Sequence, residues 1–248
     1  MAATPPSAFV GREAELARLA AALEEAEQGR APAIVVEGES GAGKTRLLRE
    51  FAGLAADRGA KVLFGRCVDC GDAGPPYWPI IEALRPLTGP DDPGRGPGDD
   101  RWRYFEDVLD RLEEAGRHSP VVLLLDDLHW ADRSTRDLLG FLLANLAGGP
   151  GPLVVAAVRS EALVPGHPLL LLLAELRRSR RAEFLTLDRL GKGDVAAQLA
   201  SILGEAPEPE LLGEIWRRSE GNPFFVEELA AAARFSSGGH PPTPGGRE

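Results

Sequence analysis

The amino-acid sequence predicts an α/β protein: a five-stranded parallel sheet flanked by helices on both faces, with a small helical appendage at the C-terminal end. Three observations predict it. Five short Val/Leu-rich runs, at residues 33–37, 61–66, 121–126, 153–158 and 183–187, alternate with stretches of helical periodicity. Strands that are apolar on both sides suit a sheet held between two helical layers. The first run ends in a glycine-rich turn that opens a helix, the third ends in two aspartates, and after about residue 188 no strand-like run follows.

Composition narrows the class. A chain of 248 residues with 44% hydrophobic content can bury a core of ordinary size. The longest apolar stretch, around LLLLLAELRR, is too short and too closely flanked by charge to span a membrane, and MAATPPSAF lacks the apolar segment of a signal peptide. The expected location is therefore the cytoplasm. A net charge of −10 works against broad binding to a phosphate backbone, so direct DNA binding is not expected of this chain. Cys67 and Cys70 form one C-x-x-C without a second pair, and the histidines at 118, 129, 167 and 240 are scattered, so no four-ligand zinc site is expected. Reduced structural cysteines are the reading, with a redox pair as the alternative.

In chain order, residues 1–8 form a Pro/Ala/Ser leader without periodicity, expected to be disordered. Leu16, Leu19, Ala20 and Leu23 then recur at helical spacing behind Gly11, Arg12 and Glu13, a helix entered through a Gly-Arg turn. The α/β core is expected over 9–187, with helices at 44–58, 79–88, 101–117, 134–147 and 167–180. A Pro/Gly/Asp loop at 89–100 carries no core residue. Short helices at 192–204, 208–219 and 223–235 make a lid-like appendage over 188–235, and the Pro/Gly tail from 236 to 248 is expected to be disordered.

The chemistry concentrates in AIVVEGESGAGKT, residues 33–45. Its G-x-x-x-x-G-K-[ST] spacing lets successive backbone N–H groups turn inward around a phosphate, where side chains would block the approach. Gly38, Glu39, Ser40, Gly41, Ala42 and Gly43 form this Walker A loop, with Lys44, Thr45 and Arg46 opening the helix behind it. Lys44 is expected to reach the β- and γ-phosphates of ATP, the Thr45 hydroxyl to bind Mg²⁺, and the helix N-terminus to add positive potential. Asp126 and Asp127 close the apolar run VVLLLDD at the carboxyl edge of the sheet, where open α/β sheets bind ligands. Asp126 is expected to hold Mg²⁺, commonly through water, and Asp127 to polarise the attacking water. A helix N-cap is the bland alternative for these acids. Arg159 ends the next strand on the same edge and is expected to sense the terminal phosphate. His129 and Trp130 are expected to pack beneath the acidic loop, and the arginine cluster 177–181 to be a solvated helix end.

Together these residues resemble the STAND branch of AAA+-like ATPases, especially the Orc1-like ATPase domain at the front of large LuxR-type transcriptional regulators and some signalling cyclases. The matching elements are FVGRE at 9–13, GESGAGKT at 38–45, LLLDDLHWAD at 123–132, the strand ending in Arg159, and EGNPFFVEEL at 220–229. The resemblance implies a sheet order of 5-1-4-3-2. It also implies that Gly11 and Arg12 line the adenine side and that Pro223 in the lid touches base or ribose, besides serving as a helix N1 proline after Asn222. It further implies slow hydrolysis used as a switch between ATP and ADP states, with self-association or an effector as partner in the ATP state. Members of the family usually continue past the GNPFF helix into a winged helix and output domains, whereas here a Pro/Gly tail follows. The expected function is thus an ATP·Mg²⁺-binding, weakly hydrolysing signalling ATPase domain. A DNA-associated Orc1-like loader and a small-molecule P-loop kinase are the alternatives.

Overall fold

The structure, a computed structural model, describes residues 9–30, 33–69, 75–88, 100–146 and 151–237. The leader 1–8, Cys70, all but the last residue of the 89–100 loop and the tail from 238 onward lie outside the described residues. The chain divides into two compact units, an α/β unit Arg12–Leu187 and a helical unit formed by residues up to Gly11 together with those from Asp188.

The α/β unit opens with helix α1 (Glu13–Glu27), followed by β1 (Ala33–Gly38), α2 (Lys44–Asp57) and β2 (Lys61–Arg66). Helices α3 (Trp78–Leu84) and α4 (Arg101–Gly116) lead to β3 (Val121–Asp126), then α5 (Arg133–Asn145), β4 (Leu153–Arg159), α6 (Leu169–Ser179) and β5 (Ala182–Leu187). All five strands pair in parallel in the order β2-β3-β4-β1-β5, the expected order read from the other edge. The strand alternation gives each face its own layer. Val35, Leu63, Leu123, Leu125, Val154, Ala156 and Val158 share a core with residues of α3 to α6, while α1 and α2, which contact the sheet and each other, bury Leu19, Leu23, Leu47, Leu48 and Phe51.

The strands are not equally buried. Every residue of β3 is buried, whereas β2 and β5 are half-buried or exposed along most of their length. An open sheet has two edges, and the charged residues Lys61, Arg66 and Glu183 lie on them, whereas those of the inner strands, Glu37, Asp126 and Arg159, sit at or next to the strands' carboxyl ends. Two helices start on aspartate caps: Asp100 accepts from the Arg103 amide at 3.1 Å and Asp132 from the Thr135 amide at 3.0 Å.

The helical unit contains α7 (Lys192–Leu203), α8 (Pro209–Ser219) and α9 (Pro223–Ser237), packed around Leu190, Val195, Leu199, Ile202, Ile215, Val226 and Ala230. Helix α9 runs two residues past the expected end of the appendage. Its first turn is set by Asn222, whose side chain accepts from the Phe224 amide at 3.1 Å with Pro223 at the first helical position.

Candidate functional site

The parallel register brings four chemically informative strand ends to one edge. Gly38 on β1 pairs with Arg159 on β4, and Arg66 on β2 pairs with Asp126 on β3. Strand β4 lies between β1 and β3, so the loop after β1 and the acids after β3 start roughly 10 Å apart. The loop and the first turn of α2 close that gap.

Residues Glu39–Gly43 turn sharply before α2, with Gly41 at φ +79° and Gly43 at φ +96°. Those left-handed conformations are open to glycine and strained for a side chain, which explains the glycines of the motif. Lys44 is buried at 6% exposure, and its ammonium donates to the Gly38 and Glu39 carbonyls, each at 2.7 Å. Burial lowers the pKa of this ammonium, and the charge of Glu161 is the foremost influence in the other direction. The loop is braced from outside by Arg12, which donates to the Ala42 carbonyl at 3.2 Å and pairs with Glu15 at 3.2 Å. The amide of Ser40 donates to Glu161 Oε1 at 2.8 Å, and Arg46 pairs with Glu50 at 4.0 Å on the face of α2.

The Thr45 hydroxyl donates to Asp126 Oδ2 at 2.8 Å. The other oxygen of Asp126 accepts from the Asp127 amide at 3.0 Å, which holds the carboxylate in place. A hydroxyl and a carboxylate oxygen in contact are hard donors of the kind that bind Mg²⁺ beside substrate phosphates, so the residues fit that ion. Among the described residues no group of three or more His, Cys, Asp or Glu side chains could hold a metal by itself.

Asp127 has a left-handed backbone, φ +53°, which turns the chain away from the strand immediately after Asp126. Its carboxylate is 8% exposed and lies between two guanidinium groups, Arg66 at 3.1 Å and Arg159 Nε at 3.3 Å. His129 Nε2 is 4.0 Å from the same carboxylate, and neither of its buried ring nitrogens has a hydrogen-bond partner among the described residues. Burial pushes the His129 pKa down to about 4, against the pull of Asp127.

The loop residues Gly38 to Thr45 and the residues Asp126, Asp127 and Arg159 are therefore brought to one edge, with Arg12 behind the loop and Gly11 and Pro223 in the helical unit. Arg66 and Glu161 were missed by sequence reasoning. The signal for Arg66 was a cation closing the strand beside the acidic one. Glu161, two residues beyond the Arg159 strand end, carried no signal that it folds back to the loop. Trp130 departs from expectation, being 44% exposed, while His129 does pack inside. Arg177 also departs, since it pairs with Glu37 at 2.6 Å and stacks on Phe184 at 3.9 Å. Cys67 is buried, and burial raises its thiol to about 12, which leaves it unreactive. A cavity of about 620 Å³ lined by Cys67, Trp78, His129, Trp130 and His167 opens beside the loops after β2 and β3, and none of the predicted site residues lines it.

An uncharacterized protein of Rhizobium meliloti (strain 1021), R02095, is 26% identical over 269 residues, covering 89% of this chain and 24% of its own length. The chain thus spans about a quarter of that relative. Among solved structures, the Orc1 protein of Aeropyrum pernix, in complex with DNA, matches with a TM-score of 0.64 at 20% identity, over 94% of this chain and 62% of that one. The Walker-type ATPase PABY2304 of Pyrococcus abyssi matches with 0.63 at 15% identity, over 92% and 69%. A RuvB variant of Thermotoga maritima matches with 0.52 at 20% identity, over 94% and 65%. At such identities these likenesses concern the fold. Among the described residues no helix is long and apolar enough to cross a membrane. The family profile of the AAA ATPase domain matches residues 8–156, more than half of the chain, and the chain belongs to that family.

Proposed function

We propose that this chain is an ATP·Mg²⁺-binding, slowly hydrolysing switch domain of a signalling or transcription-regulatory ATPase. The observation that carries the reading is the 2.8 Å hydrogen bond from Thr45 to Asp126, which joins the phosphate loop to the acidic strand. Lys44 and the loop amides neutralise and orient the phosphates, while Thr45 and Asp126 would hold Mg²⁺, which would supply charge stabilisation at the terminal phosphoryl group. Asp127 accepts a proton from the attacking water, and Arg159 balances charge beside it. The clamp of Asp127 by Arg66 and Arg159 supports slow rather than rapid turnover, because each guanidinium group occupies one of the two oxygens that would otherwise face a water. Calorimetric titration tests the reading: the chain binds ATP with Mg²⁺, and Lys44→Ala abolishes binding. An unchanged dissociation constant for the variant rejects the phosphate-site assignment.

A DNA-associated loader is the second reading, favoured by the fold shared with the Aeropyrum pernix Orc1 protein in complex with DNA. The net charge of −10 argues against it. A salt-dependent gel shift separates the two, since a switch domain leaves duplex DNA unbound.

A further inference from the structure

We propose that Glu161 sets the preference between ATP and ADP, its carboxylate opposing the third phosphate at the mouth of the loop. The inference rests on the nucleotide site proposed above and deepens it. One amide of the phosphate loop, that of Ser40, donates to Glu161 Oε1 at 2.8 Å. An amide carries a single hydrogen, so Ser40 cannot give a full bond to this carboxylate and to a phosphate oxygen at once.

The position of that contact selects which phosphate is affected. In this motif the loop amides cradle the phosphates and the lysine reaches the outer ones, and the carboxylate that meets Ser40, three residues before Gly43, also exerts its charge on Lys44. Glu161 follows Arg159, whose Nε is 3.3 Å from Asp127, so it approaches from the side of the acids. Its charge is felt at both Lys44 and His129, which flank the same region. The terminal phosphate of ATP adds charge on this side, and ADP has no group there. An added charge about 4 Å from a carboxylate through water weakens binding by about fivefold per unit. Glu161 is solvent-exposed, so it can swing away when the third phosphate enters, and its removal leaves the core intact.

The test is calorimetric titration of the full chain with Mg²⁺ and either ADP or the non-hydrolysable β,γ-imido analogue of ATP. The variants are Glu161→Gln, which keeps an oxygen acceptor and removes the charge, Glu161→Ala, and Asp110→Asn as a control on the exposed face of α4. Both Glu161 variants are expected to bind the triphosphate analogue about fivefold more tightly while ADP affinity moves by less than about twofold. The gain should shrink at 0.5 M salt. An equal change for both nucleotides, no change, a change confined to the alanine variant, or the same gain in Asp110→Asn overturns the proposal and leaves the nucleotide site standing. If the unaltered chain binds neither nucleotide, the site reading falls with it.

Discussion

The Arg66 guanidinium lies 3.1 Å from the Asp127 carboxylate, across the pairing of β2 with β3. Arg66 is half-exposed and Asp127 is buried. Removing the arginine should cost less than about 1 kcal/mol of stability, as expected of a pair with one solvated partner. It frees one oxygen of Asp127, however, so phosphate release by Arg66→Ala should rise severalfold. A rate at or below that of the unaltered chain would remove Arg66 as a restraint on Asp127.

Asp127 itself should separate binding from turnover. Asp127→Asn keeps the shape of the side chain and loses its basicity, so ATP affinity stays near that of the unaltered chain while turnover falls by about a hundredfold or more. Undiminished turnover would take Asp127 out of the catalytic role.

Thr45 and Asp126 should act through the metal. In the presence of Mg²⁺, Thr45→Ala and Asp126→Asn should each weaken the metal dependence of ATP binding by about tenfold or more. In EDTA they should differ little from the unaltered chain. Equal losses with and without the metal would mean that the 2.8 Å bond between them serves only to hold the loop.

His129 makes stability depend on pH. Its pKa in the folded protein is held down to about 4, below the 6.5 of the unfolded chain, because burial disfavours the imidazolium. Above pH 6.5 neither state takes the proton and the full stability is present. As pH falls from 6.5 towards 4 the unfolded chain binds the proton first, and stability drops by at most about 1.4 kcal/mol per pH unit from this group. Urea titrations at several pH values should show a flatter profile over that window for His129→Phe. A parallel profile would assign the slope to other groups.

Much of the fold was legible because its signals are local. The run from Ala33 to Thr45 states strand, loop and helix within 13 residues, and the five apolar runs lie where the strands are. The sheet order was not legible from any local pattern and entered through the resemblance. Arg66 and Glu161 escaped because their partners, Asp127 and Ser40, are 61 and 121 residues away in sequence. Only the register of the sheet brings such pairs together. Trp130 was misjudged since an aromatic residue next to a buried histidine looks apolar in sequence, yet a 3₁₀ turn over Leu128–Trp130 directs it outward.

Gly65 provides a test of how β2 carries its neighbours. A Cβ built there would lie 1.9 Å from the backbone oxygen of Pro79 at the start of α3, and backbone cannot move aside as a flexible side chain can. Gly65 pairs with Leu125 one residue before the Arg66–Asp126 pair, so the close approach of α3 and the placement of the acidic strand share one segment. Gly65→Ala should therefore destabilise the chain by about 3 kcal/mol, the upper end of overpacking costs, in chemical denaturation. Because the clash falls between β2 and α3 and touches no residue of the phosphate loop, nucleotide affinity of the surviving folded fraction should change less than the affinity lost in Lys44→Ala. A stable Gly65→Ala variant with ordinary denaturation would show that α3 can slide along the sheet, and would loosen the argument that β2 holds Arg66 against Asp127.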